Sequence, residues 1–262
     1  RNANVMLSLD LHVQHALRDE LEKAMVEFRA LAAAGIIMNV HTGEVVAMTS
    51  LPDFDPNDPM SAPEEGRFNR ATLGVYEMGS VFKAVTLAAA LDSGRVDVGE
   101  RFDATQPIKV ARFTIRDFHA KNRWLSVPEV FVYSSNIGTA KIALQLGTED
   151  YKDYLRRFGL MTRPAIELPE VSRPLVPGRW SELSTITTSY GHGIAVTPLQ
   201  VVSAVSTIVN GGFKVEPTFL RRNDVQLGER VISAKSATEE PRRPGVVGLY
   251  LRIAIVVFPS CL

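Results

Sequence analysis

A long apolar run, residues 81–91, carries a single charge, Lys83, and any fold of this chain must accommodate it. Val81, Phe82, Val85, Leu87, Ala88 and Leu91 supply the apolar positions, and Gly79 precedes them. Asp92-Ser93-Gly94 closes the run with stop signals, so the segment is a helix that begins near Ser80. Ser80 and Lys83 are three residues apart and share one helical face, one turn apart. The hydroxyl then sits at the positive end of the helix dipole, beside an amine placed to take its proton. That pair is the minimum machinery for an acyl-enzyme. One S-x-x-K in a chain of this length is about what chance allows, so the spacing alone decides nothing. Two readings of Lys83 stay open: a packed stem with its ammonium in water, or a partly desolvated amine with a lowered pKa.

Composition narrows the function classes. The chain has 262 residues, enough for one large domain or two small ones with a real core. Lys plus Arg and Asp plus Glu number 29 each, so no basic field argues for nucleic acid and no acidic tail argues for disorder. The one cysteine, Cys261, excludes an internal disulfide and a cysteine-based metal cluster. No run of about 20 apolar residues is present to span a membrane. The chain opens at Arg1 rather than methionine and reads as a fragment whose natural N-terminal part is missing.

Along the chain the pattern is an ordered α/β mixture without repeats. Leu17, Leu21, Ala24, Phe28 and Leu31 recur at helical spacing behind a capping Asp10. His12 and His15 have no third or fourth ligand nearby and read as exposed polar residues rather than a metal pair. Residues 35–40 and 44–49 flank His41-Thr42-Gly43 as a β-hairpin, and residues 51–63 form a Pro- and Asp-rich loop. A polar, aromatic-spotted stretch covers 101–124, Pro128 opens a helix, and residues 133–141 turn into another that ends near Gly147. Thr197-Pro198 starts a further helix that Gly211-Gly212 stops.

Ser134-x-Asn136 is a second chemical candidate: a hydroxyl to relay a proton and a carboxamide to hold a substrate amide. By itself this pair is more often a helix cap or an Asx-type turn. In order with the Ser80-x-x-Lys83 segment, the chain closely resembles the transpeptidase domain of class B penicillin-binding proteins, the septal cell-division type in particular. The resemblance runs over residues 4–232. It includes residues 5–10, Gly43 to Met48, residues 69–72, 79–83 and 134–138, and the stretch Gly191-His192-Gly193 through Gln200.

The resemblance implies a β-lactamase/transpeptidase-like α/β (α+β) fold: an antiparallel sheet flanked by helices, plus a mostly helical subdomain. It implies Ser80 as the nucleophile on a D-Ala-D-Ala stem peptide, Lys83 as its base, Ser134 as proton relay and Asn136 as the substrate-amide ligand. β-Lactams mimic that peptide and trap Ser80. No metal or organic cofactor enters this chemistry. The partners implied are peptidoglycan stem peptides and other division proteins, with no nucleic acid. The place implied is the periplasmic face of the cytoplasmic membrane, held by an anchor not in this chain.

Two departures bear on activity. Val81 stands where the family often has threonine, and the Lys-Thr/Ser-Gly motif expected on a sheet-edge strand beside Ser80 has no counterpart. Lys235-Ser236-Ala237 comes closest but lacks the glycine that lets substrate approach the backbone. Residues 1–236 therefore read as a transpeptidase-like domain lacking its last strands. Residues 237–262 read as an atypical tail, either a substitute strand for the sheet edge or disordered. Loss of one oxyanion donor typically lowers rate about 100- to 1,000-fold, so weak or absent acylation is expected. Two other functions fit the same residues: a serine β-lactamase or β-lactam sensor, and a non-catalytic scaffold for septal partners.

Overall fold

The computed structural model describes residues 4–110, 112–225, 228–238 and 253–255. Its first layer forms around the hairpin read from the sequence. Strands β1 (Ala33–Asn39) and β2 (Val45–Leu51) pair antiparallel, with Ala33 opposite Leu51 and Ile36 opposite Met48. The Asn39 side chain fixes the connecting turn by accepting from the N–H groups of His41 and Thr42. Helix α1 (Leu11–Phe28) starts where Asp10 accepts from His12 and Val13 N–H. Its Leu17 and Leu21 cover Ala33, Ile37, Ala47 and Leu51 on one face of the hairpin. Gln14 locks the two together, donating to Met48 O and accepting from Met48 N–H.

The periodicity of α1 outruns its partner surface. Phe28 and Leu31 share the spacing of Leu17 and Leu21, yet they are 62% and 61% exposed. The reason is geometric: the helix ends at Phe28, Arg29 turns left-handed, and packing against the sheet stops at Met25.

On the other face of β1, helix α8 (Pro198–Val209) brings Leu199 and Val202 against Ile36, Met38 and Val45. Side-chain alternation along the strand thus places successive residues in two different cores. The larger core is helical and centres on α3 (Phe82–Asp92). Phe82, Val85 and Ala89 of α3 meet Ile142 and Leu146 of α5 (Asn136–Leu146). The same cluster takes in Tyr151 and Leu155 of α6 (Thr148–Arg157) and Val201, Ala204 and Ile208 of α8. Helices α2 (Glu64–Arg67), α4 (Val127–Val132), α7 (Glu182–Ser189) and α9 (Ala234–Thr238) complete the described set.

The stretch 101–124 is more ordered than its polar composition suggests. It contributes β3 (Arg101–Asp103), β4 (Ile108–Val110), β5 (Phe113–Ile115) and the start of β6 (Trp124–Ser126). These pair as two ribbons, β3 with β6 and β4 with β5. Lys235, Ser236 and Ala237 lie in α9, anchored where Ser233 N–H donates to Asp92 Oδ1 at 2.6 Å. Asp92 ends α3, whose eleven residues put α9 roughly 16 Å along the axis from the Ser80 end. Most of the tail expected to be a substitute strand or disordered lies outside the described residues. Within it, β7 (Ile253–Ile255) pairs antiparallel with β1 and gives the sheet order β2-β1-β7.

The α4–α5 junction is tightly built. A Cβ at Gly138, in the first turn of α5, would come within 2.4 Å of Val130 Cγ2 on α4. Alanine ordinarily favours a helix over glycine by roughly 0.5–1 kcal/mol. Here overpacking opposes it at roughly 1–3 kcal/mol. Gly138→Ala is expected to lower the urea midpoint; an unchanged or raised midpoint would show that the junction has slack.

Candidate active site

The segment that carries Ser80 is held by residues 191–196. Tyr76 and Val196 exchange both backbone hydrogen bonds, at 2.9 and 3.0 Å, and Gly79 N–H donates to Gly191 O at 3.2 Å. The two chains touch so closely that a Cβ on Gly191 would fall 2.1 Å from Gly79 O. Gly191 also has a φ of +82°, so both space and conformation call for glycine. Glu77 adds a side-chain clamp, its Oε1 accepting from Gly193 N–H at 2.8 Å and its Oε2 lying 2.9 Å from His192 Nδ1. The His192 contact first, then the Gly193 N–H, holds the Glu77 carboxyl below the usual carboxylate range, against the opposing effect of burial.

From this base Ser80 sits exposed on a single 3-10 turn, Gly79–Val81, that runs into α3. One residue into α3, Lys83 points into the protein and is 1% exposed. Its Nζ donates to Ser134 O at 2.5 Å and to Ser134 Oγ at 2.8 Å. Ser134 Oγ in turn lies 3.0 Å from Ser80 Oγ. Among the described residues the hydrogen bonds of Lys83 go to Ser134, so its link to Ser80 passes through the Ser134 hydroxyl. Burial lowers the Lys83 pKa to about 8, with Asp117 pulling the other way. The snorkelling alternative is thereby set aside: the amine, not only its stem, is inside.

Ser134 reaches this position through a helix ending. Helix α4 starts with a capping box between Ser126 and Glu129. It ends with Ser135 N–H bonded to Val130 O and Ser134 N–H bonded to Phe131 O. That hydrogen-bond pair is a Schellman motif, and its left-handed position normally takes glycine. Ser134 occupies it with φ +52°. A side chain there is strained by roughly 1–2 kcal/mol, and this one carries the hydroxyl between Lys83 and Ser80.

The cap expected from the Ser-x-Asn pattern belongs to the residue in between. Ser135 accepts from Gly138 N–H to begin α5, and donates to Asp117 Oδ2 at 2.7 Å. Asp117 Oδ1 accepts from Ile137 N–H at 2.9 Å. Asn136 donates through Nδ2 to Arg116 O at 3.0 Å, which orients its Oδ1 as the remaining acceptor. Asn136 stands at the edge of a hollow of about 490 Å³, shared with Ile115, Arg116, Leu183, Thr187, Tyr190 and Gly193.

Of the residues singled out from sequence, Ser80, Lys83 and Ser134 form one hydrogen-bonded chain, and Asn136 adjoins it across Ser135. Glu77, Arg116 and Asp117 were not singled out. They lie in irregular segments where no spacing rule marks a charged residue. Their partners, residues 192–193 and 135–137, are distant in sequence.

The chain matches the model of the penicillin binding protein transpeptidase domain over residues 33–239. A relative from Caulobacter vibrioides named "Probable peptidoglycan D,D-transpeptidase FtsI" is 43% identical over 237 residues, 89% of this chain and 40% of that protein. "Peptidoglycan D,D-transpeptidase FtsI" of Escherichia coli K12 is 32% identical, over 87% of this chain and 39% of that protein. The chain thus spans about two fifths of the length of these curated relatives. Among solved structures, the transpeptidase domain of Burkholderia pseudomallei penicillin-binding protein 3 superposes with a TM-score of 0.79 at 29% identity. That superposition covers 88% of this chain and 66% of the other. The sheet with its helices on both faces, and the extent of these matches, place the chain in the penicillin-binding protein transpeptidase family.

Proposed function

We propose that this chain is a serine D,D-transpeptidase domain of the septal type, slowed by an incomplete oxyanion site. Its substrates are peptidoglycan stem peptides, at the periplasmic face of the cytoplasmic membrane. No helix among the described residues is long and apolar enough to cross a membrane.

The observation that carries the reading is the sequence of contacts Lys83 Nζ, Ser134 Oγ, Ser80 Oγ at 2.8 and 3.0 Å. With Lys83 protonated, donors run outward from the amine to Ser80. With Lys83 neutral, both hydroxyl rotors reverse and the amine becomes the acceptor. A pKa of about 8 makes both states accessible near neutral pH.

In the forward step Ser80 Oγ attacks the carbonyl carbon of the penultimate D-Ala, its proton passing to Ser134 while the Ser134 proton passes to Lys83. Collapse of the tetrahedral adduct breaks the C–N bond, and the departing D-Ala amine takes the proton back along the same path. The amine of a neighbouring stem peptide then attacks the Ser80 ester, loses a proton along that path and releases the serine. Asn136 Oδ1 is the acceptor for a substrate N–H, and the Ser80 N–H is one oxyanion donor. In the family the second donor comes from the Lys-Thr/Ser-Gly strand, for which this chain has no triplet. Its loss lowers the rate about 100- to 1,000-fold.

A second reading, a non-catalytic scaffold for division partners, is favoured by one observation. The nearest substitute triplet lies in α9, by Asp92 at the far end of α3.

Intact-mass measurement with benzylpenicillin separates the two. The expected result is one slowly formed adduct that is absent in Ser80→Ala, with a rate that rises with pH and levels above about 8, where the amine is neutral. No adduct after long incubation, or the same adduct in Ser80→Ala, would contradict the enzyme assignment.

A pair of variants tests the relay and its strained backbone together. Ser134→Ala and Ser134→Gly both remove the hydroxyl, and each is expected to lower acylation about 100-fold or more. Ser134→Gly should nevertheless be more stable than Ser134→Ala by about 1 kcal/mol in urea unfolding. Equal stabilities would mean the left-handed conformation at residue 134 is relaxed in solution.

A further inference from the structure

Residues 108–124 carry Lys109, Arg112, Arg116, Lys121 and Arg123 against one carboxylate, Asp117, in a chain whose charges balance overall. That carboxylate is already engaged by Ser135 Oγ and Ile137 N–H. Arg123 pairs with Glu129 at 2.8 Å. Lys109, Arg112, Arg116 and Lys121 take part in none of the ion pairs among the described residues. Arg112 and Lys121 lie over aromatic rings instead, Phe113 at 5.3 Å and Tyr133 at 4.7 Å. The segment is therefore a cationic arm with little internal neutralisation.

Arg116 holds a special place on that arm. Among the described residues it is the one charged residue lining the 490 Å³ hollow, whose other walls include Ile115, Leu183 and Tyr190. Its carbonyl is tied to Asn136 Nδ2 at 3.0 Å, and the next residue, Asp117, is tied to α5 by two further hydrogen bonds. The backbone that carries the guanidinium is thus fixed two residues from Ser134. Arg116 is exposed and takes part in none of the ion pairs above, and a guanidinium so left favours a planar anion able to accept two parallel hydrogen bonds.

We propose that Arg116 is a specificity residue that binds a carboxylate of the peptide substrate in this hollow, with the rest of the arm drawing acidic peptides toward it. This assignment rests on the transpeptidase reading. Two carboxylates of a stem peptide have the required chemistry, the C-terminal one and the internal one of its acidic residue.

The test is equilibrium binding to Ser80→Ala, which forms no ester and so isolates recognition. The probes are the synthetic pentapeptide L-Ala-D-γ-Glu-L-Lys-D-Ala-D-Ala, its internal amide and its C-terminal amide. One of the two amides is expected to bind about three- to tenfold more weakly than the free acid, and the one that does identifies the carboxylate. Adding Arg116→Gln should weaken the free acid by the same factor and erase its preference over that amide. Arg116→Lys should keep part of the preference. Lys121→Gln, on the arm but over Tyr133, should weaken both peptides alike and only at low salt. The proposal is overturned if both amides bind as the free acid does, if Arg116→Gln retains the preference, or if no peptide binds at all. Penicillin acylation of Ser80 alongside such a result would leave the transpeptidase reading standing and sink only the role of Arg116.

Discussion

The site depends on one buried charge with very few partners. Lys83 is 1% exposed, and its amine is met by the carbonyl and hydroxyl of a single residue, Ser134. Moving an ammonium out of water is unfavourable by several kcal/mol unless hydrogen bonds offset it, so the amine responds by giving up its proton more readily. The same burial that lowers its pKa toward 8 suits it to the base role proposed for it near neutral pH. Everything that fixes Ser134 therefore also fixes the chemistry.

What fixes Ser134 is the way two helices meet. Helix α4 ends in a Schellman motif and Ser135, the next residue, caps α5, so the Ser134 hydroxyl stands in a turn held on both sides. Gly138 lets α5 approach Val130, and Asp117 holds the first turn of α5 from outside. On the other side Gly191 and the Glu77 carboxylate seat the Ser80 turn. Ser134 shares its left-handed backbone with Arg29 and Asn122, and what sets it apart is that its hydroxyl meets Lys83 and Ser80.

Much of this was legible in the sequence, and the reasons are specific. The hairpin of β1 and β2 announces itself by two β-rich runs around Thr42-Gly43, and α8 by the Thr197 cap followed by proline. Ser80, Lys83, Ser134 and Asn136 could be singled out because a hydroxyl and an amine or amide at fixed short spacing carry chemistry. Helix α7 was not legible: Glu182–Ser189 is rich in Ser and Thr, and its two apolar residues, Leu183 and Ile186, are too few for a period to register. The ribbons within 101–126 have three-residue strands, too short for alternation to register. The charged residues that support the site, Glu77, Asp117 and Arg116, act across long sequence separations, which local pattern cannot express. Whether Lys83 was buried or snorkelling likewise depended on α5 and the α4 ending, not on its own helix.

The Lys83 pKa itself is the most direct measurement. Protein carrying 13C-labelled lysine, followed by NMR through the Cε resonances with Lys83→Met to assign the signal, reports it without any substrate. A transition near pH 8, in contrast to the other lysines, is the expected result. A Lys83 signal that titrates with the rest above pH 10 would mean that the amine is solvated and that its path to Ser80 through Ser134 does not form.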